Sequence, residues 1–160
     1  MQERDVSTAS YEDDVYGWSV RQAELLRAGR YDDVDMENVA EEIDSLGKSQ
    51  VASLESCYRL IAVHLLKVLF QPERLTRSWQ VTIVRERLNA QSWLDASPSL
   101  KPRRAALFEK AYSQARRLAS AETGLLMRTF PECAPFTLEE LSSEDYQPWT
   151  SLADPAAPGT

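Results

Sequence analysis

Apolar residues recur along most of this chain at the three- and four-residue spacing of an α-helix, and no sustained alternation bounded by turn pairs marks a strand. The first stripe is Tyr11, Val15, Trp18, Gln22 and Leu25/Leu26, opened by Ser10 as N-cap with Glu12 and Asp13 in the first turn and closed at Gly29. A second, capped by Asp35, carries Met36, Val39, Ala40, Ile43 and Leu46 and ends or kinks at Gly47. Ser49 restarts the pattern as a third helix through Val51, Leu54, Tyr58, Ile61, Leu65 and Val68. Its second half, residues 60–70, is apolar nearly all round, which predicts the most buried element of the fold. Gln71-Pro72 ends it, because proline lacks a donor and pushes the preceding residue out of the α region.

A fourth helix is expected over about residues 78–94, with Trp79, Ile83, Ala90 and Leu94 on one side and Val81, Val84 and Leu88 on another. After a break at residues 95–99, Pro102 suits the first turn of a fifth helix through Leu107, Phe108, Ala111, Ala115, Leu118, Leu125 and Leu126. Beyond residues 130–135, Thr137 as N-cap with Glu140 at N3 makes a capping box, and Phe136 against Leu141 a hydrophobic staple. The pattern predicts an all-α, single-domain bundle of five to six helices around a buried central helix. It spans residues 10–149, between a flexible N-terminus at 1–9 and a flexible tail at 150–160.

Composition narrows the class. A chain of 160 residues, 43% hydrophobic, buries about two-thirds of its unfolded surface and needs no disulfide or metal to fold. Cys57 and Cys133 lie outside any C-x-x-C pair and are expected to be reduced thiols. No run of about 18 apolar residues marks a membrane span, and the charged start lacks the pattern of a secretory signal, so a cytoplasmic location is expected. The net charge of -7 conceals three blocks. Residues 1–56 hold 14 acids and 5 bases, 57–128 hold 5 acids and 13 bases, and 129–160 hold 6 acids and no base. A basic middle between acidic ends suits either a phosphate-binding surface or acidic helices packed across basic ones so that the field cancels internally. The sequence pI of about 4.8 favours cancellation.

The run Tyr11-Glu12-Asp13-Asp14-Val15-Tyr16-Gly17-Trp18 is followed by Gln22, Leu25-Leu26-Arg27-Ala28-Gly29, Glu41-Glu42-Ile43, Leu46-Gly47, His64-Leu65-Leu66-Lys67 and Ser78-Trp79. Ser97-Pro98-Ser99-Leu100, Tyr112 with Ala115, and Phe130-Pro131 with Cys133-Ala134-Pro135 before Thr137 complete the series. In this order they resemble a bacterial family, the domain of unknown function numbered twenty-nine, over about residues 11–149. The resemblance implies an all-helical fold in a prokaryotic cytoplasm and brings no established activity, ligand or catalytic residue. Phe136 stands where the family carries tryptophan or tyrosine, which keeps the aromatic staple.

Three constellations offer chemistry. Glu37, Glu41, Asp44 and Glu55 can share a helix face, and Glu41, Glu42 and Asp44 are the candidate ligands of a Mg²⁺ or Mn²⁺ ion. With His64 as base they would make a metal-dependent hydrolase of nucleotide phosphates, but the second carboxylate pair that such helical enzymes use is missing, and a solvated acidic face is preferred. His64, on the apolar helix, is expected to be neutral with a lowered pKa, a core histidine in preference to a proton-transfer group. Lys67 can lay its stem along the core while its ammonium reaches solvent or an acid of the second helix, and Gln22, the polar member of the first stripe, needs partners if buried. Arg74, Arg77, Trp79, Arg85, Arg87, Arg103, Arg104, Arg116 and Arg117 together raise a nucleic-acid surface, although Trp79 and Trp93 fall at core spacing. With no complete catalytic set, the favoured reading is an interaction or accessory domain that uses a helix face or the Trp149 segment. It needs no cofactor; a protein partner is expected ahead of nucleic acid, a membrane is not expected, and self-association stays open.

Overall fold

The computed structural model describes residues 10–150, all-α with no strand among them, in an N-terminal unit ending at Ser49 and a C-terminal unit beginning at Gln50. Residues 1–9 and 151–160, expected to be flexible, lie outside the described residues; of the expected tail only Thr150 is described, its N–H bonded to the Gln147 carbonyl.

In the N-terminal unit α1 (Val15–Arg27) begins four residues later than a Ser10 cap predicts. Residues 10–13 form a turn, and a second capping residue, Asp14, takes the Gly17 N–H at 2.9 Å. The helix ends as Gly29 predicts. At φ +70° Gly29 lets its own N–H reach Leu26 O and the Arg30 N–H reach Leu25 O, a Schellman closure. A 3₁₀ turn, Tyr31–Asp33, leads to α2 (Met36–Phe70), whose first turns belong to this unit. The sequence pattern splits α2 at Gly47, but the helix runs on. One interior glycine costs only about 1 kcal/mol against alanine, too little to interrupt hydrogen-bonded turns on both sides.

In the C-terminal unit the rest of α2 packs against α3 (Arg77–Ala96) and α4 (Arg104–Thr123). Leu54, Tyr58, Ile61, Ala62, Leu65 and Leu66 are wholly buried, so the 60–70 run is the central helix that its all-round apolarity predicts. Each such leucine or isoleucine contributes about 1.5–3 kcal/mol through removal from water. Ile83, Ala90 and Leu94 of α3, Ala111, Ala115 and Ala119 of α4, and Phe130, Phe136 and Leu141 complete the core. Pro102 lies in a 3₁₀ stretch, Pro98–Arg103, ahead of α4, and α4 stops earlier than its apolar pattern predicts. Gly124, left-handed at φ +74°, ends it, so Leu125 and Leu126 fall in the loop. The last helix, α5 (Leu138–Ser142), carries the predicted capping box: Thr137 N–H to Glu140 Oε2 at 2.7 Å and Glu140 N–H to Thr137 Oγ1 at 3.1 Å.

Candidate interaction surfaces

Many of the residues singled out for chemistry are engaged in bonds within their own unit. Glu41 and Asp44 are exposed, while Glu42 accepts the Tyr11 hydroxyl at 2.6 Å, a bond that holds the Tyr11 phenol above its ordinary pKa. His64 belongs to the C-terminal unit and these acids to the N-terminal one, and no group of three or more metal-ligating side chains assembles among the described residues. His64 is half-buried with Nδ1 2.9 Å from Leu60 O, the previous turn of its own helix. Desolvation lowers its pKa, with Lys67 and Arg85 adding to the effect and the Leu60 carbonyl and Glu122 opposing it.

Lys67 pairs with an acid of α4 in place of one on the second helix. Its stem is buried, its ammonium meets Glu122 at 2.7 Å and stands 4.4 Å from the centre of the Trp79 ring, which is itself half-buried. The arginine cluster divides in two. Arg87 is buried and donates to Leu141 O and Glu140 O, capping the end of α5; Arg116 donates to Phe130 O; Arg104 bridges Tyr58 and Ser142. Arg85 pairs through Nε with Glu86 but remains largely exposed, and Arg74, Arg77, Arg103 and Arg117 are exposed. Three of the eight candidate phosphate-binding arginines are therefore internal scaffolding.

Two buried acids escape a reading by periodicity. Glu55 accepts from Lys110 at 2.8 Å and Gln114 at 3.1 Å, tying α2 to α4, and Glu86 on α3 takes Arg85 and Asn89 while facing Cys57. Burial, with Glu86 nearby, pushes the Cys57 thiol up to about 12, so it is inert at neutral pH. Their spacing is the signal that finds them: Glu55 lies between Val51 and Tyr58, and Glu86 between Ile83 and Ala90, each on the core stripe of its helix.

In the N-terminal unit, Gln22 is buried and its carboxamide oxygen accepts the Asp35 N–H at 2.9 Å. Asp35 in turn accepts from Asn38, both side chain and backbone, and from the Trp18 indole at 3.2 Å. The Asn38 bond is the main cause of its lowered pKa. This lock sets α1 against the start of α2 and leaves an open groove of about 420 Å³ lined by Trp18, Gln22, Leu26, Val39, Ile43 and Leu46, with Glu42 at its edge. Periodicity predicts that Ile43 and Leu46 pack inward; they are 62% and 66% exposed.

A second groove, about 450 Å³, lies along α3 in the C-terminal unit. Val81, Val84 and Leu88 form its floor at 51%, 43% and 56% exposure, Trp149 and Gln147 one wall, and Arg77 and Arg85 its charged rim. The other side of α3, through Ile83, Ala90 and Leu94, fills the core, so the helix is apolar on two faces and only one is used for folding.

No helix among the described residues is long and apolar enough to cross a membrane. No curated protein and no solved structure matches the chain. A family model, Domain of unknown function DUF29, does match, over residues 10–147, the stretch that carries the helices, the capping box and all but the Trp149 edge of the grooves; the chain belongs to that family.

Proposed function

We propose that this chain is an interaction or accessory domain of the cytoplasm whose docking surface is the α3 groove, and that it takes an acid-flanked amphipathic helix of a protein partner. The carrying observation is the stripe Val81, Val84 and Leu88, open to solvent on a helix whose other face already fills the core. Contiguous apolar surface rimmed by charge is the mark of a contact site, and an apolar floor at i, i+3, i+7 suits helix-in-groove recognition. Arg77 and Arg85 on the rim, with no Asp or Glu among the lining residues, select the sign of the partner. Free thiols at Cys57 and Cys133 agree with a reducing compartment. Nucleic acid is the weaker partner, because Arg87, Arg104 and Arg116 spend their donors inside the unit.

The test is photo-crosslinking in the cells that make the chain, with p-benzoylphenylalanine in place of Leu88 and, as control, in place of the exposed Ser113 on α4. A discrete protein adduct at 88, mapped to an acid-flanked apolar helix and absent at 113, is expected. Equal crosslinking at both positions would overturn the docking surface.

A further inference from the structure

The α3 groove has a counterpart of opposite sign in the N-terminal unit. Val39, Ile43 and Leu46 recur on α2 over the same seven-residue span as Val81, Val84 and Leu88 on α3, so each stripe is about 10 Å long at 1.5 Å rise per residue. Glu42 lines the groove of the α2 stripe, and no Lys or Arg does. The α3 groove reverses this, with Arg77 and Arg85 at its rim and no acid. Each chain thus carries both halves of a contact matched in length, apolar character and charge.

We propose that the occupant of the α3 groove is a second copy of this chain, which lays Ile43 and Leu46 of its α2 against Val81, Val84 and Leu88, with its Glu42 toward Arg77 and Arg85. The proposal rests on the α3 groove being the docking surface and adds the identity of what docks. Because the two patches differ, the contact is heterologous: docking leaves one of each patch free, and copies join head to tail into a ring or an open row. The acidic first block and basic second block of the sequence then serve association between copies, weakened by salt because the rim charges are exposed.

Sedimentation of the purified full chain tests this. The native protein is expected to rise above monomer mass with concentration and to fall back toward it in high salt. Leu46→Glu and Leu88→Glu each remove one half of the contact at a side chain more than half exposed, so each variant should be monomeric with native helix content and melting temperature. An equimolar mixture of the two should restore a dimer and nothing larger, since one variant keeps the α3 groove and the other keeps the α2 edge. A native chain that stays monomeric throughout, or a mixture that does not pair, overturns self-association. A Leu88 crosslink to a different protein would then leave the docking surface standing, whereas loss of that crosslink as well would remove both.

Discussion

The two units of this protein are built on different principles. In the C-terminal unit an all-round apolar helix segment is wrapped by α3 and α4; of the buried charges, Glu55, Glu86 and Lys67 are met by hydrogen-bond partners, and Arg87 through Nε and Nη2 while its Nη1 is buried without one. Among its described residues the N-terminal unit buries only Gly17, Trp18, Gln22, Leu25 and Val34, and gains its geometry from the bonds that join Trp18, Gln22, Asp35 and Asn38. Its apolar residues on α2 are spent on an open groove instead of a core. A unit held by directional polar bonds can leave its hydrophobic stripe available for binding; one held by burial consumes the face that folds it, and the α3 groove stays open because α3 carries a second apolar face.

The contrast can be broken at its strongest point first. Leu65→Ala, at a site with no exposure, should cost about 2–5 kcal/mol in urea unfolding and loosen amide exchange throughout α3 and α4; a loss under 1 kcal/mol would mean that the core is not the foundation of that unit. Gln22→Leu is smaller and local. Removing the acceptor of the Asp35 N–H should cost about 1 kcal/mol and speed exchange in α1 and the first turns of α2 while residues 54–68 keep their protection.

Acid should separate the units as well. The lowered pKa of His64 means that the unfolded chain takes a proton the folded chain refuses, so its contribution is complete above the ordinary value of about 6.5 and is lost as pH falls below it. The lowered pKa of Asp35 gives a contribution present above its ordinary value of 3.8 and lost as pH falls through the folded value. Stability measured against pH should therefore bend first near 6.5 in the C-terminal unit, a bend that His64→Gln removes, and only in stronger acid in the N-terminal unit. The smallest change runs the other way. Gly47→Ala places a Cβ where no atom lies within 4 Å and should raise stability by about 0.5–1 kcal/mol; destabilisation would show that α2 needs the glycine.

What the sequence determined by itself is the set of features governed by neighbours within one turn. The capping box at Thr137 and Glu140, the left-handed stop at Gly29, the end of α2 before Gln71-Pro72 and the identity of the central apolar segment all depend on residues three or four apart, and all are present in the structure. The start of α1 at Asp14 and the passage of α2 through Gly47 are competitions between local signals of nearly equal strength, and periodicity alone chose the other side.

Tertiary structure decided which stripes are covered. Ile43 and Leu46 read no differently from Leu54, Ile61 and Leu65, and Val81, Val84 and Leu88 no differently from Ile83, Ala90 and Leu94, yet one set of each pair is open. Periodicity records that a face is apolar; whether it is buried depends on what the rest of the chain brings opposite it, and that information lies dozens of residues away. For the same reason Glu55 and Arg87, charged residues on core-facing positions, become intelligible only once Lys110 and the carbonyls of α5 are placed beside them.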